Sequence, residues 1–323
     1  MPHSACNCRC VMCDIWKGNR NLKQLTEADV EGLMAALKKF RTVQVVMSGG
    51  EAILHRNFFE LCRILKKQNL KITLLTSGHA IQRHAAMLVQ HVDDLIISLD
   101  GNETIHNNIR NVENAYNKTR ESIKAIKSLK PGYKISGRTV IHKLNFRIWP
   151  DIIKSAKEIG LDSISFLPAD ITSTAFNHTT GWDEKVQDEL LIDVENLEEL
   201  KNIIEKLITD NAADFTSRYI VESPEKIKKI LAYYGAHSGL NEFPYKRCNA
   251  PWVSTVIEAD GSVKPCFFHE SIGNIREGSL QQILNGNKAI EFRKGLNMEE
   301  DVICKRCVCS LYLPPTVNPV AHS

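Results

Sequence analysis

The sequence predicts an α/β protein: a parallel sheet with helices on its outside, followed by a small cysteine-rich C-terminal domain. Two observations carry this prediction. From about residue 26 to 240, short β-branched apolar runs alternate with amphipathic helical patterns. Repeated strand–helix units of this kind require crossover connections, and so a parallel sheet. From about residue 241 the text turns rich in Pro, Gly and Cys. Functional residues are then expected in the loops at the C-terminal ends of the strands.

Thr42–Met47 (TVQVVM), Lys71–Thr76, Asp94–Leu99, Ile135–Ile141 and Ser163–Leu167 read as short buried strands. Thr26 and Asp29 form a capping-box pattern ahead of Val30, Leu33, Met34 and Leu37, the apolar stripe of a helix. Further helices are predicted near 57–69, 80–91, 112–129 and 149–159. Residues of about 171–190 are polar and read as a loop or insertion. The spacing of Leu197, Leu200, Ile203, Ile204, Leu207 and Ile208 predicts an amphipathic helix, and 223–235 predicts another. The division is therefore a core over 1–240, in which 171–240 is a helical insertion or linker acting as a lid or bridge, and a second domain over 241–323.

The composition is that of an ordinary globular chain, 43% hydrophobic and 24% charged. A net charge of +3 gives no ground for a nucleic-acid partner. There is no apolar run of membrane-spanning length and no apolar secretory segment at the N-terminus. A soluble, cytoplasmic protein without a membrane partner is expected. Ten cysteines in such a chain point to metal ligation rather than disulfides. Cys6, Cys8, Cys10 and Cys13 crowd the start, and Cys248, Cys266, Cys304, Cys307 and Cys309 fall in the last quarter, so two metal sites are expected. Cys62 lies in a helical stripe with Phe58, Leu61 and Leu65 and reads as core.

The run CNCRCVMC gives Cys6–x3–Cys10–x2–Cys13. Three thiolates on one short loop can hold three irons of a cubane and leave the fourth open, whereas a structural cluster uses four cysteines. Zinc, or a cluster with Cys8 as fourth ligand, is the alternative; Cys8 is expected to point away. The spacing resembles that of the radical SAM superfamily. The resemblance implies a partial (β/α)6 TIM-like barrel and a 4Fe–4S cluster on Cys6, Cys10 and Cys13, with S-adenosylmethionine (SAM) chelated on the open iron. It further implies an external electron donor of flavodoxin or ferredoxin type, and reductive cleavage to a 5′-deoxyadenosyl radical. Met12 stands where the family usually has an aromatic residue. A strand should precede Cys6 and has no room, so Met1 reads as an internal methionine of a longer chain or as the result of truncation.

Gly49, Gly50 and Glu51 follow the strand 42–47 and resemble the family's GGE motif, whose backbone and glutamate hold the methionine amino group; Ala52 replaces the usual proline. Thr76-Ser77-Gly78 is similar to the family's TNG. Ser98, Asp100 and Gly101 with His106 and Arg110 look like its SxDG…H…R pattern. By that resemblance Ser98 contacts the ribose or carboxylate of SAM, and the Arg110 fork pairs with the carboxylate. Asp100 faces the substrate as base or anchor, or else caps the loop at Gly101. His106 reads as structural. His142 and Asn145 read as solvated loop residues, with pocket lining as the alternative, and Asp170 is a further substrate-contact candidate.

Cys248 and Cys266, with Gly261 shortly before the latter, and the Cys304–x2–Cys307 pair resemble the shortened SPASM domain called twitch, which carries one auxiliary 4Fe–4S cluster. Structural zinc is the alternative. Cys309 is spare: it replaces Cys307 as ligand, stays a free thiol, or donates a hydrogen atom to a substrate radical, as a cysteine does in some related epimerases. The expected activity is hydrogen abstraction from a small polar, carbohydrate- or amino-sugar-like substrate, with oxidation or epimerisation as outcome. A peptide or protein maturase is the first alternative and a non-enzymatic Fe–S or zinc protein the second.

Overall fold

The computed structural model describes residues 1–178 and 182–314. The core is a five-stranded parallel sheet in the order β1-β2-β3-β4-β5. Its strands are β1 Gln44–Met47, β2 Lys71–Thr76, β3 Asp94–Ser98, β4 Lys134–Ile141 and β5 Ser163–Pro168. They are the five strands read from sequence. Among the described residues no strand precedes them, and His3 makes a single antiparallel bridge to Gln24 instead. The helices α1 Glu27–Lys39, α2 Phe58–Lys66, α3 Ala85–His91, α4 Glu103–Arg110, α5 Ala115–Leu129 and α6 Trp149–Glu158 connect the strands. This is a partial TIM-like barrel.

Each strand buries one face under the helices. In β4, Ile135, Gly137, Thr139 and Ile141 are buried, while Ser136, Arg138 and Val140 are half-buried and face the barrel interior. At Gly137 an added Cβ would meet Leu161, which confirms that this side packs outward. Helix α1 starts as its sequence requires: Thr26 Oγ1 accepts from Asp29 N, and Asp29 Oδ2 accepts from Thr26 N. Helix α4 is absent from the sequence prediction. It buries only His106 and Ile109, too few apolar positions to show a period.

The segment 171–240 is largely helical, and its helices pack on the barrel. Its helices α7 Glu184–Leu190, α8 Leu197–Asp210, α9 Ala212–Thr216 and α10 Pro224–His237 close the side of the barrel. Leu200, Ile204 and Leu207 of α8 and Ile227, Ile230, Tyr233 and Tyr234 of α10 join the main core. Tyr234 Oη donates to Ile141 O at 2.5 Å and accepts from Ala169 N at 3.1 Å, so α10 ties β4 to the end of β5. Beyond β5 the sheet gains one more parallel bridge, Ile164 to Ile220.

The C-terminal region carries α11 Ala250–Val253, an antiparallel sheet of β6 Val256–Ile257, β7 Ser262–Lys264 and β8 Gly273–Asn274, then α12 Leu280–Asn285, α13 Asn287–Gly295 and α14 Val302–Arg306. Val263, Ile272, Leu280 and Ala289 share a second core with Leu33 and Ala36 of α1. Arg276 pairs with Asp29, and Lys23 with Asp260, across the same junction. Residues 315–323 of the expected 241–323 domain, and 179–181 of the polar segment, lie outside the described residues. Among the described residues no helix is long and apolar enough to cross a membrane.

Candidate functional site

The N-terminal cysteines sit on a loop over the C-terminal ends of the strands. Main-chain bonds dock it: Glu51 N donates to Ala5 O at 2.8 Å, while Arg9 N and Val11 N donate to Arg110 O and Ile109 O, each at 3.2 Å. The Asn19 side chain brackets Cys6, accepting from its N at 3.0 Å and donating to its O at 2.9 Å. Gly50 lies so close beneath the loop that an added Cβ would overlap the Ala5 carbonyl. The second glycine of the GGE run therefore serves the cysteine loop.

The loop gathers its thiols. Cys8 does not point away: it is buried, with its Sγ 3.8 Å from His79 Nδ1. The hydrogen bond to Cys8 lowers the Cys10 thiol to about 7, with the Arg110 charge assisting. Arg110 Nη1 reaches Cys10 Sγ at 3.5 Å. Cys13 is held up at about 12 by burial. These donors suit soft iron, which takes thiolates.

Glu51 is the second part of the site. It is 1% exposed, and its Oε2 accepts from Ser77 N at 2.9 Å and Ser77 Oγ at 2.6 Å. Its Oε1 is buried without a hydrogen-bond partner among the described residues. Burial raises its carboxyl and the Ser77 bonds oppose that rise. A buried, oriented carboxylate oxygen with no partner is what an ammonium group of SAM would satisfy. Ser77 acts through Glu51. Thr76 Oγ1 accepts from Gly78 N at 3.1 Å and shapes the turn.

Asp100 and Arg110 meet each other. Arg110 Nε donates to Asp100 Oδ2 at 2.6 Å, and Asp100 is fully buried. Burial is the larger influence on Asp100 and raises its carboxyl, with Arg110 opposing. Asp100 thus holds the arginine that touches the cluster loop. His106 is structural: its Nδ1 accepts from Asp100 N at 3.2 Å. Asp170 Oδ1 accepts from Thr172 N and Ser173 N and is spent on its own turn. His142 and Asn145 are buried, at 0% and 1%, where solvated positions were expected. Asn145 donates to Asp100 O and Val140 O, tying the loop after β4 to the loop after β3. Ser98 ends β3 half-buried, opposite Arg138 in the parallel register. Arg138 is an interior cation that sequence reading missed: it has no carboxylate within 4 Å among the described residues and donates to Ser165 Oγ at 3.3 Å. Its place in the alternation of β4 is the signal that would have found it.

The C-terminal cysteines line a second site, a cavity of about 620 Å³ walled by Cys248, Cys266, Cys304, Cys307 and Cys309. Cys307 Sγ donates to Cys309 O at 2.6 Å, and Cys309 N lies 3.4 Å from the same sulfur. Burial raises Cys304 and Cys307 to about 12. Tetrahedral zinc draws four sulfurs to about 3.8 Å of one another. Among the described residues the one group of three or more metal-binding side chains within 4.8 Å is His269, Asp301 and Cys304. Thiols spread around a roomy cavity fit a cluster better than a single ion.

Comparison with known proteins matches the two regions that carry these cysteines. A profile described as the Radical SAM superfamily matches residues 2–166, and one described as an iron–sulfur cluster-binding domain, SPASM, matches 248–308. A cysteine-type anaerobic sulfatase-maturating enzyme of Clostridium novyi is 26% identical over 94% of this chain and 82% of its own. An Fe-coproporphyrin III synthase of Methanosarcina barkeri is 24% identical over 94% and 78%. The solved structure of Streptococcus suis SuiB bound to precursor peptide SuiA superposes with a TM-score of 0.64 at 16% identity, covering 97% of this chain and 70% of that one, which is a likeness of fold.

Proposed function

The chain belongs to the radical SAM superfamily, and from that premise we propose that it is a maturase that modifies a peptide or protein by hydrogen-atom abstraction. Its cofactors are a 4Fe–4S cluster with SAM, and auxiliary Fe–S iron in the C-terminal domain. The observation that carries the peptide reading is the similarity to the sulfatase-maturating enzyme, which runs through barrel and C-terminal domain alike. The small polar substrate expected from sequence becomes the second reading, kept because the synthase named for Fe-coproporphyrin III is matched over as much of this chain.

When bound, the cluster and SAM supply on one-electron reduction a 5′-deoxyadenosyl radical able to take hydrogen from an unactivated C–H bond. The chain's residues bind and orient. Cys6, Cys10 and Cys13 hold the irons, and Gly49 and Gly50 let their loop dock on β1. Glu51 Oε1, left without a partner among the described residues, would accept from the SAM ammonium, with Thr76 and Ser77 fixing the turn and the carboxylate. Ser98 and Arg138 present a hydroxyl and a guanidinium to the interior. Asp100 positions Arg110, which takes hold of Cys10. In the C-terminal domain, 241–323, Cys248, Cys266, Cys304 and Cys307 hold the auxiliary cluster. Cys304 and Cys307 form the CxxC pair, which leaves Cys309 as the spare thiol and hydrogen-donor candidate. A one-electron donor of flavodoxin or ferredoxin type and a cytoplasmic location belong to the same proposal, since iron-binding thiols stay reduced there.

The test is to offer anaerobically reconstituted protein synthetic peptides deuterated at Cys, Ser or aliphatic side chains. Deuterium in the released 5′-deoxyadenosine supports the maturase. Deuterium transfer from deuterated porphyrins or sugars, and from no peptide, selects the second reading.

A further inference from the structure

We infer that His269 donates a hydrogen bond to the sulfur of Cys304 and so sets the reduction potential of the auxiliary cluster. This rests on the proposal that Cys304 is one of that cluster's ligands. His269 follows Cys266 on the loop after β7 and is 6% exposed. Its ring stands edge-on to Phe292 of α13, with centroids 4.9 Å apart, which fixes the ring plane. Nε2 lies 3.4 Å from Cys304 Sγ and 3.8 Å from Asp301 Oδ1. Asp301 caps α14 and accepts from Cys304 N at 2.8 Å. One carboxylate therefore holds the ligand's backbone and faces the imidazole that touches its sulfur. His269 and Cys304 both line the cavity of about 620 Å³.

An N–H directed at a ligand sulfur withdraws electron density from the cluster and favours its reduced form. The contact is too short for His269 and Cys304 to serve separate corners of a cubane, so His269 acts through the sulfur, as a positioning residue. Among the described residues no other histidine is hydrogen-bonded to a cavity cysteine, and Cys307 takes a backbone N–H bond instead. A cysteine pattern does not disclose such a partner, because the histidine belongs to a different loop from the thiol it serves.

The experiment is an EPR-monitored redox titration of the fully loaded protein, with iron counted per chain, on wild type, His269→Phe and His269→Gln. His269→Phe should keep its iron, shift the auxiliary midpoint to a more negative potential and leave the N-terminal cluster's midpoint unchanged. His269→Gln, which restores an N–H donor, should recover part of the shift. Unchanged midpoints in a fully loaded His269→Phe would overturn the inference. Loss of one cluster's iron in both variants would overturn it too, by making His269 a ligand. Cys304→Ala separates this failure from that of the underlying reading: full iron there would remove Cys304 from the ligand set.

Discussion

Gly50 shows what one missing methyl group does in this protein. Its lack of a side chain lets the Ala5 carbonyl pass beneath the cysteine loop, and Glu51 N bonds that carbonyl. Gly50→Ala should expel the loop while leaving the barrel folded: iron after reconstitution should fall from about eight to about four per chain, with the far-UV circular dichroism unchanged. The buried histidines act on stability. His106 and His142 are both lowered by burial to about 3. In the unfolded chain each takes a proton near pH 6.5. Between pH 6.5 and about 3 the unfolded state therefore binds more protons, and acid favours unfolding by up to about 1.4 kcal/mol per pH unit for each histidine. The urea midpoint of the metal-free protein should fall as the pH is lowered across that window. At this scale the sequence disclosed residue types better than partners. The motif of Asp100 and Arg110 was legible, but their pairing was not, because a motif does not say whether an arginine turns to a ligand or to its neighbour.

Among the elements, α4 and α10 do most to position the site. Helix α4 supplies His106 and Arg110, and the carbonyls of Ile109 and Arg110 anchor the cysteine loop. It was invisible beforehand because a short polar helix shows no apolar period. The β-branched strands were legible from their apolar runs, and helix α1 because apolar period and cap agreed. Helix α10 was predicted, but its role was not: the amphipathic stripe marks a buried face without naming its cover. Tyr234 provides the test. Tyr234→Phe removes the donor to Ile141 O and leaves Ala169 N without its acceptor. A loss of about 1–3 kcal/mol in urea-unfolding free energy is expected. A variant as stable as wild type would show that α10 does not clamp the barrel.

The molecule as a whole is two thiol-lined sites held on one frame. The barrel was foreseeable from alternating strands and helices, and the C-terminal site from cysteine spacing. Their junction was not, because Leu33 and Ala36 of α1 serve both the helix stripe and the second core, and Arg276 meets Asp29 from far along the chain. The substrate was the least legible property: the residues that would choose it face an interior which sequence spacing does not describe. Everything else rests on radical chemistry at the N-terminal loop. Its most direct test is iron content together with 5′-deoxyadenosine formed from SAM under strong reductant, in wild type and Cys13→Ala. Wild type should carry about eight irons, and the deoxyadenosine signal should disappear in the variant. A fully loaded wild-type protein that forms no deoxyadenosine would contradict that chemistry.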